Sequence, residues 1–464
     1  MTPALRAPRR FEALWGVALG GYATLVVLAP SLLAKAVLCA PAILIALAWP
    51  ILRTARMWLV LFFASALLLP PLPVQLGDSG PHIALLFAAA GLFIGLLRLA
   101  EWRLEIDALA VAVCSLLAIV AASLAMALIY SGPAIAAASA ARVVLLGISL
   151  YVFFYVRNGP GRMLPLDAFR WIRWLYWAAA ATALFACIDF YFQFPAPAGY
   201  EQQFIWVDTG VFRRAQGIFY EASTLGNICA FFLEMIAVSI FRPRGTQSMP
   251  LLSILAGGSA LSGALILSYS RGSLINVAVA LLVLLWFYRD RVRWRRVLTG
   301  GAVLAGGVAL LAVFSPVFSG AYWQRLTVFQ FVGESPNLVL SGRVQSWQTL
   351  LDFLASNPWH ALLGVGYKTL PYSDFIGTKA VGDNTYLTLL AETGLLGLAA
   401  VIALNAAILW RSYRAARSSD ELRSFCGLWM LCFWSGQAVQ MFSADLLTYW
   451  RILPVYFFVL ALMA

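Results

Sequence analysis

Ser341 to Leu398 reads SGRVQSWQTLLDFLASNPWHALLGVGYKTLPYSDFIGTKAVGDNTYLTLLAETGLLGL, a long polar interruption in an otherwise almost continuous series of hydrophobic segments. Segments of that length between elements are usually functional or disordered. Here the periodicity favours a folded segment. Arg343, Trp347, Leu350, Leu351 and Leu354 recur at helical spacing, and Asn357-Pro358 then breaks the helix. Gly364-Val365-Gly366-Tyr367 makes a tight turn before the chain re-enters apolar sequence at Tyr386. The pattern is that of a folded cap.

The surroundings of this stretch define the class. Hydrophobic residues make up 62% of the 464 and charged residues only 11%, with a mean hydropathy of +0.85. An ordinary soluble protein is nearer half apolar, so the composition is that of an integral membrane protein. Apolar runs of about twenty residues recur, the length that crosses a hydrocarbon core as helix. Only helices or a closed barrel satisfy their backbone polar groups in lipid, and these runs are continuous rather than alternating. The expected fold is therefore an all-α polytopic membrane protein. The runs place spans near 12–29, 32–52, 57–72, 81–99, 107–130, 137–157, 169–192, 217–241, 249–270, 272–288, 297–315, 385–410, 424–442 and 446–463. Very short turns join the first pair and the pair meeting at Arg271, so the expectation is about 12 to 14 spans. Residues 1–464 read as one transmembrane domain, with 316–384 as an extracytoplasmic cap loop inserted between spans.

A formal charge of +12 would suggest nucleic acid in a soluble protein. Here the basic residues cluster in alternate gaps: Arg6, Arg9 and Arg10, then Arg53 and Arg56, Arg98 and Arg103, and onward to Arg411, Arg414, Arg417 and Arg423. The positive-inside rule makes those gaps cytoplasmic, puts both termini inside, and accounts for the charge without nucleic acid. No cleavable signal peptide is apparent, and the first helix would act as its own targeting signal. The six cysteines lie mostly in apolar runs without CxxC spacing and read as small buried hydrophobes. The two histidines, His82 and His360, form no cluster for a metal.

This topology gathers the unusual chemistry on the outer face. In the stretch 212–223, FRRAQGIFYEAS, Arg213 and Arg214 run against the charge bias that organises the other gaps. Guanidinium forks suit phosphate oxygens, while headgroup snorkelling is their structural alternative. Glu221 lies just inside an apolar run, where an ionisable group points by default to function. It would serve there as a catalytic group or as an internal partner for Arg214 or Arg271. Ser268-Tyr269-Ser270-Arg271-Gly272-Ser273 is a polar knot between two apolar runs, and its arginine needs an anion, a carboxylate or the interface. Arg343, near the start of the cap helix, could act on an anion together with the helix dipole, or sit on a solvated face. Gly382-Asp383-Asn384-Thr385-Tyr386 precedes a span. Asp383 there could accept a proton from an acceptor hydroxyl or act as counter-ion to the arginines.

Together these motifs resemble a known family. Arg213-Arg214-x-x-Gly before a span, Ser-x-Ser-Arg-Gly at 268–272, and Ser-Gly-Arg…Trp…Asn-Pro…Gly-Val-Gly-Tyr…Asn-x-Tyr-Leu…Glu-x-Gly-x-x-Gly from 341 to 397 resemble the bacterial O-antigen ligase and O-antigen polymerase superfamily. The resemblance covers roughly the second half of the chain, and the first half matches in hydropathy alone. It implies a GT-C-like enzyme of the bacterial inner membrane, working on the periplasmic face. Such an enzyme takes a glycan from an undecaprenyl pyrophosphate carrier and joins it to a sugar hydroxyl of an acceptor glycan lipid. It implies no metal, nucleotide sugar or other cofactor, and a chain-length regulator as a possible partner.

On the matching positions, Arg213 or Arg214 with Arg271 look like the pyrophosphate clamp, completed by Arg343. Asn384, Tyr386 and Tyr220 would position the acceptor. Many family members carry His-Asn where this chain has Asp383-Asn384, and that histidine is the usual proposed base. Asp383 could replace it, or Glu221 could be the base while Asp383 positions the acceptor. Tyr220-Glu221-Ala222-Ser223 and the missing histidine favour a polymerase of surface polysaccharide, inverting the anomeric centre. The ligase that moves finished glycan to lipid A core is the nearest alternative. A transporter of lipid-linked sugar is the alternative from another class; it would more naturally carry charges throughout its spans.

Overall fold

The computed structural model describes residues 54–73, 81–197, 199–207, 210–241, 249–289, 342–372 and 382–464, with isolated positions at 20–22, 24, 320, 323 and 324. The spans expected at 12–29, 32–52 and 297–315 lie largely outside the described residues. So do most of 316–341 and residues 373–381 of the cap. The chain divides into two compact units, Met1–Val60 and Leu61–Ala464. In the first, the few described residues near 20 are helical, and α1 (Met57–Leu68) begins at its end.

The second unit is a helical membrane assembly. Among the described residues, four helices are long and apolar enough to cross a bilayer: α4 (Leu124–Arg157), α5 (Pro165–Phe192), α6 (Ala222–Phe241) and α11 (Thr385–Ala416). Shorter apolar helices are α2 (Ala84–Leu97), α3 (Ala108–Ala122), α7 (Leu251–Leu267), α8 (Arg271–Phe287) and α13 (Leu453–Met463). The cap contributes α9 (Arg343–Ser356) and α10 (Pro358–Leu363), and α12 (Glu421–Gln440) completes the set. A two-stranded antiparallel hairpin, β1 (Phe204–Val207) and β2 (Gly210–Arg213), lies between α5 and α6.

Helix ends are set by their sequences. Asp107 caps α3 by accepting the Ala110 N–H at 2.9 Å, and the same carboxylate holds Arg157 at the end of α4 at 2.8 Å. Asp420 caps α12 through the Arg423 N–H at 2.7 Å, and Pro165 opens α5 at a position where its missing N–H costs nothing.

The centre is built on α12 and α13, buried along nearly their whole length. Helix α12 packs against α6, α8, α11 and α13. Its polar residues are satisfied inside the bundle. Asn227 donates to Gln437 Oε1 at 2.8 Å and to Gln440 Oε1 at 2.9 Å, while Tyr456 donates to Asn227 Oδ1 at 2.6 Å. Interhelical amide bonds of this kind fix the register of helices that hydrophobicity alone would let slide.

The runs expected at 107–130 and 137–157 divide instead at Ser123, with α4 continuing through a kink at Gly132 (φ 82°). Three other segments depart from the hydropathy reading for identifiable reasons. The helix expected from 217 begins only at Ala222, because Tyr220 adopts left-handed φ (55°) after a 3-10 turn at Gly217–Phe219. The span expected over 446–463 is helical only from Leu453. It is preceded by a 3-10 turn at Leu446–Thr448 and by Arg451, buried at 7% exposure. Arg451 donates to the carbonyls of Ala66, Leu69 and Ile218 at 2.6 to 3.0 Å, which satisfies a cation that apolar sequence around it conceals.

Helix α11 breaks at Gly394 (φ 73°), which frees two carbonyls of the preceding turn. The Gly-Val-Gly-Tyr turn satisfies them: Val365 N–H bonds to the Ala391 carbonyl at 3.1 Å and Gly366 N–H to that of Glu392 at 2.8 Å. A Cβ on Gly394 would lie 2.1 Å from the Leu362 carbonyl oxygen. The cap thus seats on the broken helix. Leu350, Leu354, Val365, Leu370 and Ala391 form one buried cluster beneath it. Leu351, one of the apolar residues at helical spacing, faces outward at 52% exposure.

Candidate active site

Four helices each carry a charged side chain at the first residue or just before it. They are α6 with Glu221, α8 with Arg271, α9 with Arg343 and α11 with Asp383. These charges are linked: Glu221, Arg271 and Arg343 all act on Arg214, and Arg343 pairs with Asp383. One side-chain and one backbone hydrogen bond tie the first two starts together. Arg214 Nε donates to the Ser268 carbonyl at 2.8 Å and Ala215 N–H to that of Leu267 at 2.9 Å, tying the segment before α6 to the α7–α8 turn. Ser270 caps α8, its hydroxyl accepting the Ser273 N–H at 3.4 Å and lying 2.9 Å from the Ser273 hydroxyl.

The charges of Arg271 and Arg343 both act on Arg214. Burial and these two like charges hold the Arg214 guanidinium down at about 10, against the opposing pull of Tyr449 and Glu221. Three guanidiniums face two carboxylates here. Glu221 Oε2 accepts from the Thr224 hydroxyl at 2.5 Å. Burial raises its carboxyl above the ordinary value, while Thr224 and Arg214 pull the other way. Asp383 Oδ2 lies 3.6 Å from Arg343 Nε. Its side chain keeps 40% exposure, yet partial burial raises its carboxyl as well, and Arg343 only tempers the rise. A surplus of positive charge among helix N-termini is a ready anion site, and phosphate oxygens suit it in sign and as hydrogen-bond acceptors.

Other residues named from sequence sit nearby with different partners. Arg213 turns away from Arg214. Its Nη2 lies 3.1 Å from Asp189 Oδ2 and its Nη1 bonds to the Asp189 carbonyl at 3.1 Å, with both side chains under a tenth exposed. Asn384 caps α11, its Oδ1 accepting from Tyr386 N–H at 3.0 Å and Leu387 N–H at 3.2 Å. The Tyr386 hydroxyl donates to the Ala438 carbonyl at 2.9 Å and accepts from Asn405 at 3.0 Å, which fastens α11 to α12. Tyr220 packs its ring 5.1 Å from that of Tyr200, and its carbonyl accepts from Gln216. These contacts hold the walls of the site.

Two site residues escaped the sequence reading. Asp189 lies within an apolar run and is recognisable only through its partner. Tyr449, 4% exposed, hydrogen-bonds with Ser223 and sits in the field of Glu221, Arg214 and Arg343. It is one of 17 tyrosines, and nothing local distinguishes it. Among the described residues, no three His, Cys, Asp or Glu side chains come together.

A helical membrane protein with a guanidinium cluster walled by helix N-termini and flanked by two carboxylates is the class this arrangement defines. Residues 256–402 match the family model described as O-antigen ligase, which supports the resemblance to the O-antigen ligase and polymerase superfamily. Among curated proteins nothing matches the chain. Arg271, Arg343 and Asp383 fall within the matched stretch, whereas Arg214 and Glu221 precede it and Tyr449 follows it.

Proposed function

We propose that this protein is a glycosyltransferase of the bacterial inner membrane that moves a glycan from an undecaprenyl pyrophosphate carrier to a sugar hydroxyl, and that it polymerises repeat units of a surface polysaccharide. The observation that carries the reading is that the charges of Arg271 and Arg343, each the first residue of a helix, act on Arg214, which lies in the segment between β2 and α6. In this account they hold the diphosphate and neutralise the charge that develops on it as the glycosidic bond breaks. Their partly desolvated setting makes each charge more effective than in water.

Asp383 is the base in this account. It stands at the mouth with one side exposed, and its raised carboxyl is better matched to accepting a hydroxyl proton than an ordinary aspartate. Glu221, bonded to Thr224 and beside Arg214, orients the clamp. The hydroxyl oxygen bonds to the anomeric carbon, the carrier leaves as undecaprenyl pyrophosphate, and the hydroxyl proton passes to Asp383. Attack opposite the departing diphosphate inverts the anomeric centre, and neither metal nor nucleotide sugar takes part.

About 12 to 14 spans, cytoplasmic termini and a periplasmic site with its cap complete the proposal. The acceptor glycan is itself lipid-linked, and a chain-length regulator is a fitting partner. The description of the matched family favours a second reading, ligation of finished glycan to lipid A core. Incubation of purified protein with an undecaprenyl-pyrophosphate-linked repeat unit from its own host separates the two. A ladder of longer lipid-linked glycans is the polymerase result. Product appearing only when lipid A core is supplied is the ligase result. If neither forms while the lipid crosses a vesicle bilayer, the transferase reading fails and the arginines serve transport.

A further inference from the structure

The short strap from Asp445 to Arg451 joins α12 to α13 and is fastened at both ends. At one end Asp445 forms an ion pair with Lys368, whose side chain is only 6% exposed, and Leu446 N–H bonds to the Thr385 hydroxyl at 3.2 Å. At the other end the Arg451 guanidinium is bound by the carbonyls of Ala66, Leu69 and Ile218 and lies 4.7 Å from the Phe219 ring centroid. A helix running straight through this stretch would be simpler. Instead two buried charges, each costly to place, hold seven residues out of helical continuity.

Between those two anchors stands Tyr449. Its backbone is fixed as well: its carbonyl accepts the Ile452 and Leu453 N–H groups at 3.0 and 2.9 Å. Its ring is buried, its hydroxyl is hydrogen-bonded with Ser223, and the charges of Glu221, Arg214 and Arg343 act on it. Guanidiniums have no lone pair to offer, so of the groups that act on Tyr449 the phenolic hydrogen can go to Ser223 or Glu221, or else to a bound ligand. An apolar ring would fill the same volume. The hydroxyl is the part that needs a reason.

We infer that Tyr449 is a fourth ligand of the bound diphosphate, a neutral donor that the strap fixes against the Arg214 and Arg343 guanidiniums, with Asp445, Lys368 and Arg451 as its positioning residues. The inference rests on the reading of the site as a pyrophosphate clamp and adds to it a residue outside the matched family stretch. A neutral donor serves there where a fourth cation would be repelled by the three already present. Burial raises the phenol well above its ordinary value, so it keeps its hydrogen. Such a hydroxyl discriminates a phosphate oxygen from an apolar or cationic headgroup, because a wrong ligand leaves it unpaired.

The test is binding of undecaprenyl pyrophosphate to the full-length protein in detergent, compared among wild type, Arg271→Ala, Tyr449→Phe and Ser223→Ala, with thermal unfolding of each. Tyr449→Phe is expected to bind about ten-fold more weakly, as befits one lost hydrogen bond to a charged group, and to keep its melting temperature. Ser223→Ala, which only frees the phenol's orientation, should lose a few-fold. Wild-type affinity in Tyr449→Phe, with Arg271→Ala weakened, overturns this inference and leaves the clamp standing. No binding by wild type overturns the clamp itself. Should Tyr449→Phe melt lower, Ser223→Ala decides: unchanged affinity there overturns the inference, and weakened affinity supports it.

Discussion

Arg213 is bound to Asp189 on two sides, through the carboxylate at 3.1 Å and through the backbone carbonyl at 3.1 Å, while its neighbour Arg214 reaches the opposite way to the Ser268 carbonyl at 2.8 Å. Strand β2 ends at Arg213, so consecutive side chains leave the backbone on opposite faces. One arginine therefore anchors the hairpin to the end of α5. The other enters the cation cluster.

The division predicts opposite behaviour on substitution. Asp189→Asn leaves a buried guanidinium without its counter-charge and is expected to destabilise the protein by about 3 kcal/mol or more. Replacing both partners by apolar residues, Arg213→Met with Asp189→Leu, should restore most of that stability and retain transfer activity. Thermal unfolding in detergent and a transfer assay check both. Loss of transfer in a stable double variant would return Arg213 to the clamp.

With Asp383 as the proposed base, its protonation sets the acid limb of the rate profile. Burial raises the Asp383 carboxyl, so its active, ionised form disappears as pH falls through a value above the usual 4 or so. A bound diphosphate, being negative, moves the limb further up in the substrate complex. The kcat/KM profile of Asp383→Asn should be lower throughout and lack that limb. An unchanged limb in this variant, with its loss in Glu221→Gln, would make Glu221 the base.

Gly394→Ala tests the seat of the cap. At φ 73° an alanine is strained, and its Cβ would meet the Leu362 carbonyl at 2.1 Å. The expected cost is several kcal/mol, together with loss of transfer as α9 and its Arg343 shift from the site. A protease accessibility assay across residues 357–366 should show the cap loosening in this variant. Native protection there would contradict the packing of the Gly-Val-Gly-Tyr turn on the broken helix.

Arg451→Met removes a buried donor and leaves the carbonyls of Ala66, Leu69 and Ile218 without it. Each stranded group costs about 1–3 kcal/mol, so this variant is expected to fall among the least stable single substitutions of the protein. Thermal unfolding in detergent measures it. Wild-type stability would mean that water reaches those carbonyls.

Much of this was legible in the chain. Continuous apolar runs announced the helices, and the Asn357-Pro358 break and the two-glycine turn of the cap appear where the residues placed them. Glu221 and Arg271 stood out because charge in apolar surroundings demands a reason, Arg214 because it runs against the charge bias, and Arg343 and Asp383 through the motifs of the polar stretch. Hydropathy could not show that α6 starts after Tyr220, because left-handed geometry at a tyrosine leaves no compositional trace. Nor could it separate Arg213 from Arg214, since the deciding partner, Asp189, lies 24 residues earlier in the chain. Arg451 and Tyr449 were hidden inside what reads as one apolar span. Asn384 and Tyr386 carry the look of an acceptor site in sequence, whereas their side chains cap α11 and bind α12.

The central claim is that guanidiniums from three separate segments hold one diphosphate. Its most direct test is the affinity for undecaprenyl pyrophosphate of Arg214→Ala, Arg271→Ala and Arg343→Ala, measured beside the Arg213→Met/Asp189→Leu double variant. Each of the three is expected to weaken binding by at least about ten-fold, the loss of one charge-assisted contact, while the double variant binds as wild type does. Equal affinity across all four variants would contradict the clamp.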